Sequence, residues 1–215
     1  MKKRNIFILT LLLITLTIHA QQSAEAKALL DKTYALFEAA KGIRLSFRAA
    51  SLDTGGNEQG TMEGTAIIRG DRFRLETGDL DIWFDGTTQW VLMKEVNEVN
   101  ISHPTGEEIE SVSPLALLRI YRNGYTLMPP VNVTVNGKKA QLIRMTPTAA
   151  NKEYKMVEAV VDHNNYRLVE VKLTLQNGSK QVVTISDYNA NYNYSDTEFQ
   201  FDQSRHPDAL IVDLR

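Results

Sequence analysis

Apolar and polar residues alternate in short runs across residues 60–93, and turn dipeptides separate the runs. Met62, Gly64, Ala66 and Ile68 alternate with Thr61, Glu63 and Thr65; Phe73 and Leu75 alternate with Arg72, Arg74 and Glu76; Leu80, Ile82 and Phe84 alternate with Asp79, Asp81 and Asp85. A period of two is that of a half-buried antiparallel sheet. Gly70-Asp71, Thr77-Gly78 and Asp85-Gly86 fall between the runs, where glycine can take positive φ and aspartate can bond its own turn backbone. The stretch is predicted to be a meander of four strands.

Upstream, Ser23 is placed to cap a helix in which Ala26, Leu30, Thr33, Tyr34 and Phe37 share one face and Lys27, Asp31, Lys32 and Glu38 lie mostly opposite. Gly42 ends it, so the pattern predicts one amphipathic helix of about five turns that must lie on another element. Leu45, Phe47 and Ala49 then alternate with Arg44, Ser46 and Arg48 as a first strand, and a polar hairpin at 53–60 leads into the meander. After Met93 the alternation weakens through 95–99, and regular strand is expected to have ended before His103-Pro104-Thr105-Gly106.

Ser113-Pro114 predicts a second helix, with serine as cap and proline in the first turn, carrying Leu115, Leu117, Leu118, Ile120 and Tyr121 until Asn123-Gly124 stops it. It is apolar around most of its girth, as suits a plug of the core or a cover over a cavity. Strands resume at 125–128, 131–135, 141–145, 154–162, 167–176 and 181–187, with Asn136-Gly137 and Asn177-Gly178 as hairpin turns. Phe199 and Phe201 suggest a last short strand. The expectation is a mainly β chain with some α, in which about eleven strands are joined mostly as hairpins. Such a sheet either packs a filled core under its helices or curls into a partly open barrel around a cavity. Periodicity alone allows both.

Composition narrows the class. Lys2, Lys3 and Arg4 precede an apolar run at 6–18 and Ala20 precedes Gln21, which reads as a signal peptide over residues 1–20 followed by one domain over 21–215. The apolar run is shorter than the roughly 20 residues a spanning helix needs. Without those three cations the 24 Lys and Arg become 21 against 26 acidic residues, a formal charge of about −5, which disfavours nucleic acid as a partner. There is no cysteine, which excludes disulfides, thiolate chemistry and a lipid anchor on cysteine. An exported chain without disulfides suits the bacterial periplasm, and a monomer is expected.

Little in the chain suggests catalysis. Asp53-Thr54-Gly55 matches the aspartic peptidase triplet but stands once, in a polar hairpin, whereas that chemistry needs two carboxylates sharing a proton. His103, His163 and His206 lack metal-ligand spacing. No G-x-S-x-G, phosphate-cradling loop or H-E-x-x-H occurs. No cofactor is expected, and Trp83 and Trp90 read as packing or rim residues.

The segment from Gly64 to Leu75, GTAIIRGDRFRL, followed by Ile82-Trp83-Phe84-Asp85-Gly86 and Trp90, resembles the LolA-type outer-membrane lipoprotein carriers of the Gram-negative periplasm. There a strand ending in arginine leads to one centred on an aromatic, and then to a D-G-x-x-x-W hairpin. The N-terminal helix, the Ser113-Pro114-Leu115 helix, Met145-Thr146-Pro147 and Asp196-x-x-Phe199-x-Phe201 keep the family order. The resemblance implies an incomplete antiparallel β-barrel, covered by the N-terminal helix and a mid-chain helical lid over an apolar cavity. It also implies a carrier, not an enzyme, that takes lipoprotein acyl chains or other lipid from an inner-membrane release complex to an outer-membrane receptor without inserting in a membrane.

Carried over, Arg69 would be the lid latch. Leu45, Phe47, Ala66, Ile68, Phe73, Leu75, Ile82, Phe84 and Trp90 would line the cavity with Leu115, Leu118 and Tyr121. Two departures bear on the latch. Gly70-Asp71 stands where the family usually has proline after the arginine, which offers Asp71 as a competing partner. Alternation also turns Arg69 away from the Ile68 face. The alternative function on the same fold is a lipid- or lipoprotein-sensing module of an envelope assembly or stress system.

Overall fold

The computed structural model describes residues 23–105, 119–122, 124–149 and 153–215. The expected signal peptide, the Ser113-Pro114 helix start, Leu115 and Leu118 lie outside them. Helix α1 (Ala24–Ala39) begins where Ser23 Oγ accepts the Ala26 N–H at 3.2 Å, which satisfies one of the donors that a helix start leaves open. It buries Ala26, Leu29, Leu30, Thr33 and Tyr34, the face its spacing predicts with Leu29 added.

Thirteen strands follow among the described residues: β1 (Ile43–Leu52), β2 (Glu58–Arg69), β3 (Arg72–Thr77), β4 (Leu80–Phe84), β5 (Gln89–Met93), β6 (Glu98–Ser102), β7 (Tyr125–Leu127), β8 (Val131–Val135), β9 (Lys138–Pro147), β10 (Tyr154–Asp162), β11 (Leu168–Leu175), β12 (Lys180–Asn189) and β13 (Leu210–Asp213). They form one open sheet in the order β13-β6-β5-β4-β3-β2-β1-β12-β11-β10-β9-β7, with β8 also on β9. All pairs are antiparallel except β13 with β6. The open antiparallel architecture agrees with the expectation of an unclosed barrel.

Two strands depart from the sequence expectation. β6 follows a turn in which Asn97 takes φ 50°, so strand resumes just where alternation looked exhausted. Its register with β5 pairs Leu92 with Val99 and Trp90 with Ile101, an apolar match that exists only across strands. The last strand is β13, not the Phe199–Phe201 segment. Asp196–Phe199 is a single 3-10 turn that buries Phe199.

Strands from opposite ends of the sheet contribute to one interior. Ile43, Leu45, Phe47, Ala66, Ile68, Phe73, Ile82 and Phe84 form a cluster from β1 to β4. Ile143, Met145, Val157, Ala159, Val161, Val171 and Leu173 of β9 to β11 form a second with Leu29, Leu30 and Tyr34 of α1. Phe37 and Ile185 pack against both, so the sheet curls around α1 and the helix lies across its inner face. Gly64 belongs to this inner arrangement. A β-carbon there would stand 2.3 Å from the Glu76 carbonyl oxygen and 2.9 Å from Phe47 Cζ, so glycine lets the Phe47 ring close over β2.

The meander's other face is also covered. Trp83, Leu92 and Val99 pack with Trp90, Ile101, Phe201 and Ile211, and Phe201 meets Trp83 edge-on at 5.5 Å. The segment after β12 thus wraps the outside of β4 to β6. Arg74 ties it down by donating to Glu198 at 2.8 Å.

Candidate functional site

The inner face between the sheet and α1 is the candidate site. Seven of the expected lining residues, Leu45, Phe47, Ala66, Ile68, Phe73, Ile82 and Phe84, fall in one buried cluster, and Leu75 packs against it half-buried. They converge because even positions of β2, odd positions of β3 and even positions of β4 share a face in register, with Ile68 opposite Phe73 and Phe73 opposite Phe84. The Phe73 and Phe84 rings sit 5.4 Å apart. Tyr121 falls in a 3-10 turn (Ile120–Arg122) and packs in the other half of the interior, beside Tyr34 and Leu30.

Trp90 is on the wrong face. Its register partner is Trp83, while Ile82 pairs with Val91, so strict alternation sends Val91 inward and Trp90 outward into the cluster under the C-terminal segment. The space beneath α1, bounded by Thr33, Leu36, Phe37, Leu45, Leu168 and Ile185 among others, is about 30 Å³. That holds little more than a water or two.

Polar contacts ring this apolar interior. Arg69 ends β2 at the rim, off the Ile68 face as alternation requires, and its Nη1 donates to the Ala40 carbonyl at 2.8 Å. Ala40 is the C-cap of α1, where the helix leaves carbonyls unpaired and presents the negative end of its dipole, so a guanidinium is well placed there. Asp71 does not compete for Arg69. It pairs with Arg119 at 3.0 Å, and Arg119 Nε also donates to the Tyr34 hydroxyl at 3.2 Å. One arginine from the mid-chain segment thereby joins α1 to the β2–β3 turn.

A second set of contacts fixes the 3-10 turn to α1. The Tyr121 hydroxyl donates to Asp31 Oδ1 at 2.7 Å, and Lys27 Nζ donates to Oδ2 at 2.6 Å. These donors hold the Asp31 carboxyl below the usual carboxylate range, Lys27 most and Tyr121 next. Burial, and then the Asp31 carboxylate, pushes the Tyr121 hydroxyl up. The Arg122 guanidinium lies 3.9 Å over the Tyr34 ring, a cation–π contact. Asp31, Tyr34, Ala40 and Arg119 carried no sequence signal as rim residues, because their partners lie on other elements.

The remaining candidates show no catalytic arrangement. Asp53 is at an exposed hairpin tip and accepts from the Asn57 side chain and N–H. Those bonds lower its pKa and fit an ionised turn former, not a proton-sharing acid. His206 stacks on Phe201 at 5.4 Å. Among the described residues no group of three His, Cys, Asp or Glu side chains could hold a metal, and no helix is long and apolar enough to cross a membrane.

Comparison with known proteins agrees with this geometry at the level of fold. An uncharacterized conserved protein from Thermus thermophilus superposes with a TM-score of 0.59 at 11% identity, covering 87% of this chain and 98% of its own. LprF from Mycobacterium bovis superposes with a TM-score of 0.51 at 7% identity, covering 80% of this chain and 97% of its own. Among curated protein sequences the chain matches none. The profile of the family described as outer membrane lipoprotein carrier protein LolA matches residues 16–186. With the arginine-ended strand, the aromatic strand and the D-G-x-x-x-W hairpin set around one apolar face beneath α1, the chain belongs to the LolA family of outer-membrane lipoprotein carriers.

Proposed function

We propose that this protein is a periplasmic carrier that takes up acyl chains of lipoproteins, or of other lipids, against the face between the sheet and α1 and passes them toward the outer membrane. It performs no chemistry on them. Family membership supports lipid or lipoprotein binding. The observation that carries the finer reading is the Arg69–Ala40 bond: an apolar interior is covered by a helix whose C-terminal end is tied to the rim by a side chain of β2.

The energetics fit reversible loading. An acyl chain of about sixteen carbons hides roughly 12 kcal/mol of methylene surface from water. The space of about 30 Å³ beside Phe37 and Leu45 is far too small for it, and loading in this reading displaces α1 and the turn at 120–122 from the sheet. The rim bonds resist that displacement by about 0.5–1.5 kcal/mol each, somewhat more where a charge is involved. Exposing Leu29, Leu30 and Tyr34 costs about 1.5–3 kcal/mol apiece, and an acyl chain laid on the same face returns it. The two states then lie close enough for a receptor of higher affinity to draw the cargo off.

Extraction of the purified protein with organic solvent and mass spectrometry of the extract tests this. Acylated cargo is expected, and loaded protein should hand it to acceptor vesicles or a receptor. Binding without any transfer would favour the sensing alternative. An empty extract, together with no binding of a fluorescent acyl probe, would remove the carrier reading.

A further inference from the structure

The sheet splits at one place. β11 and β12 pair from Thr174–Lys180 to Glu170–Thr184 and no further. Beyond that point β12 stays with β1 as far as Asn189, while β11 stays with β10 to Leu168. Within the split β12 carries an extra residue. Asn189 faces Arg44 and Ser186 faces Ser46, which leaves Asp187 and Tyr188 opposite Leu45 alone, and Asp187 takes φ 47°. Such a bulge re-aims a side chain. Ile185 packs inward, so unbroken alternation would send Tyr188 outward, yet Tyr188 packs against the inner cluster with Leu45.

Tyr188 therefore stands in the gap, with the Arg167 guanidinium 4.6 Å from its ring and donating to its carbonyl at 3.3 Å. Two spaces flank it. A cleft of about 380 Å³ opens to solvent between the ends of β9, β11 and β12, and it shares Arg167, Leu168, Ile185 and Tyr188 with the small space beneath α1. The outer cleft bears Lys138, Lys139 and Arg167 against Asp162 and Asp187. Asp162 is occupied in accepting the turn N–H groups of Asn164 and Asn165. Neither lysine has an ion-pair partner among the described residues.

We propose that this split is a portal for a single acyl chain with an anionic head: the chain passes Tyr188 into the interior beneath α1, and the carboxylate or phosphate rests among Lys138, Lys139 and Arg167. The proposal rests on the acyl-binding reading and adds to it the side of approach and the charge of the head. A single chain is specified because one side chain, Tyr188, fills the way in. An anion is specified because Lys138 and Lys139 of the cleft have no ion-pair partner among the described residues.

The test uses pyrene-labelled hexadecanoic acid and the matching pyrene-labelled alcohol, titrated into the full chain. The native protein is expected to bind the acid about tenfold more tightly than the alcohol, the size of one charge-assisted contact. Lys138→Glu/Lys139→Glu should abolish that preference, whereas Lys155→Glu/Lys180→Glu, the same charge change at the far ends of β10 and β12, should keep it. Tyr188→Ala should speed association of the acid several-fold. Equal binding of acid and alcohol by the native protein, or an unchanged preference in Lys138→Glu/Lys139→Glu, would overturn the portal and leave acyl binding standing. Failure of the native protein to bind either probe would overturn both.

Discussion

The Arg69 guanidinium donates to the carbonyl of Ala40 at 2.8 Å across 29 residues of chain. It joins the end of β2 to the end of α1, so the arginine holds the helix that covers the interior through its backbone, and no side-chain substitution at position 40 can remove the acceptor. Replacing Arg69 by leucine should therefore loosen the C-terminal turn of α1 specifically. Amide hydrogen exchange at residues 36–40 is expected to quicken by about tenfold, as loss of one charged hydrogen bond implies, with little change in the strands. Cargo should stay bound but be delivered poorly. Normal delivery by Arg69→Leu would contradict the latch role.

The opposite placement of the inner cluster and the two tryptophans gives a simple optical test. Trp83 and Trp90 pack under the C-terminal segment, on the face away from Phe73 and Phe84. A brominated fatty acid that binds between the sheet and α1 should leave tryptophan emission nearly unquenched while quenching tyrosine, since Tyr34, Tyr121 and Tyr188 border the interior. Strong tryptophan quenching would move the binding face to the other side of the sheet.

Phe73 is 1% exposed and packs on Phe84. Phe73→Ala should lower stability by about 3–5 kcal/mol, read as a fall in the urea midpoint. It should also open space beside Phe84 in the inner cluster. Tighter binding of an acyl probe by Phe73→Ala at a temperature where it remains folded is expected. Weaker binding would mean that the ring supports the site only from outside.

The tyrosine and aspartate shifts act at opposite ends of the pH scale. Asp31 has a lowered pKa, first through Lys27 and then through Tyr121, so its contribution is present above the ordinary value near 4 and is lost as pH falls through the folded value. Tyr154 is raised to about 12, first by burial. Its contribution is present below the ordinary value near 10 and is lost as pH rises toward 12. Melting temperature should thus be flat near neutrality and fall at both extremes. Asp31→Asn is expected to flatten the acid limb and Tyr154→Phe the alkaline limb, both measurable by scanning fluorimetry.

The local structure of this chain could be read from its residues, because short-range patterns are complete within each segment. The Ser23 cap, the α1 face and the Gly70-Asp71 and Asn136-Gly137 turns are one-segment features, and alternation in β2 to β4 correctly grouped Ala66, Ile68, Phe73, Ile82 and Phe84 on one side. Trp90 was misplaced because its facing depends on register with Trp83 across a turn. β6 escaped notice because its apolar partners lie on β5.

Sequence by itself thus determined α1, most of the strands, the inward face of β2 to β4 and the family, since alternation, caps and turn glycines act over a few residues. Only the tertiary structure decided how much space remains between sheet and helix, which acceptor Arg69 reaches, and that a bulge at Asp187 turns Tyr188 inward where β11 and β12 part. Those are distances between elements far apart in the chain, and they depend on packing that no local pattern encodes.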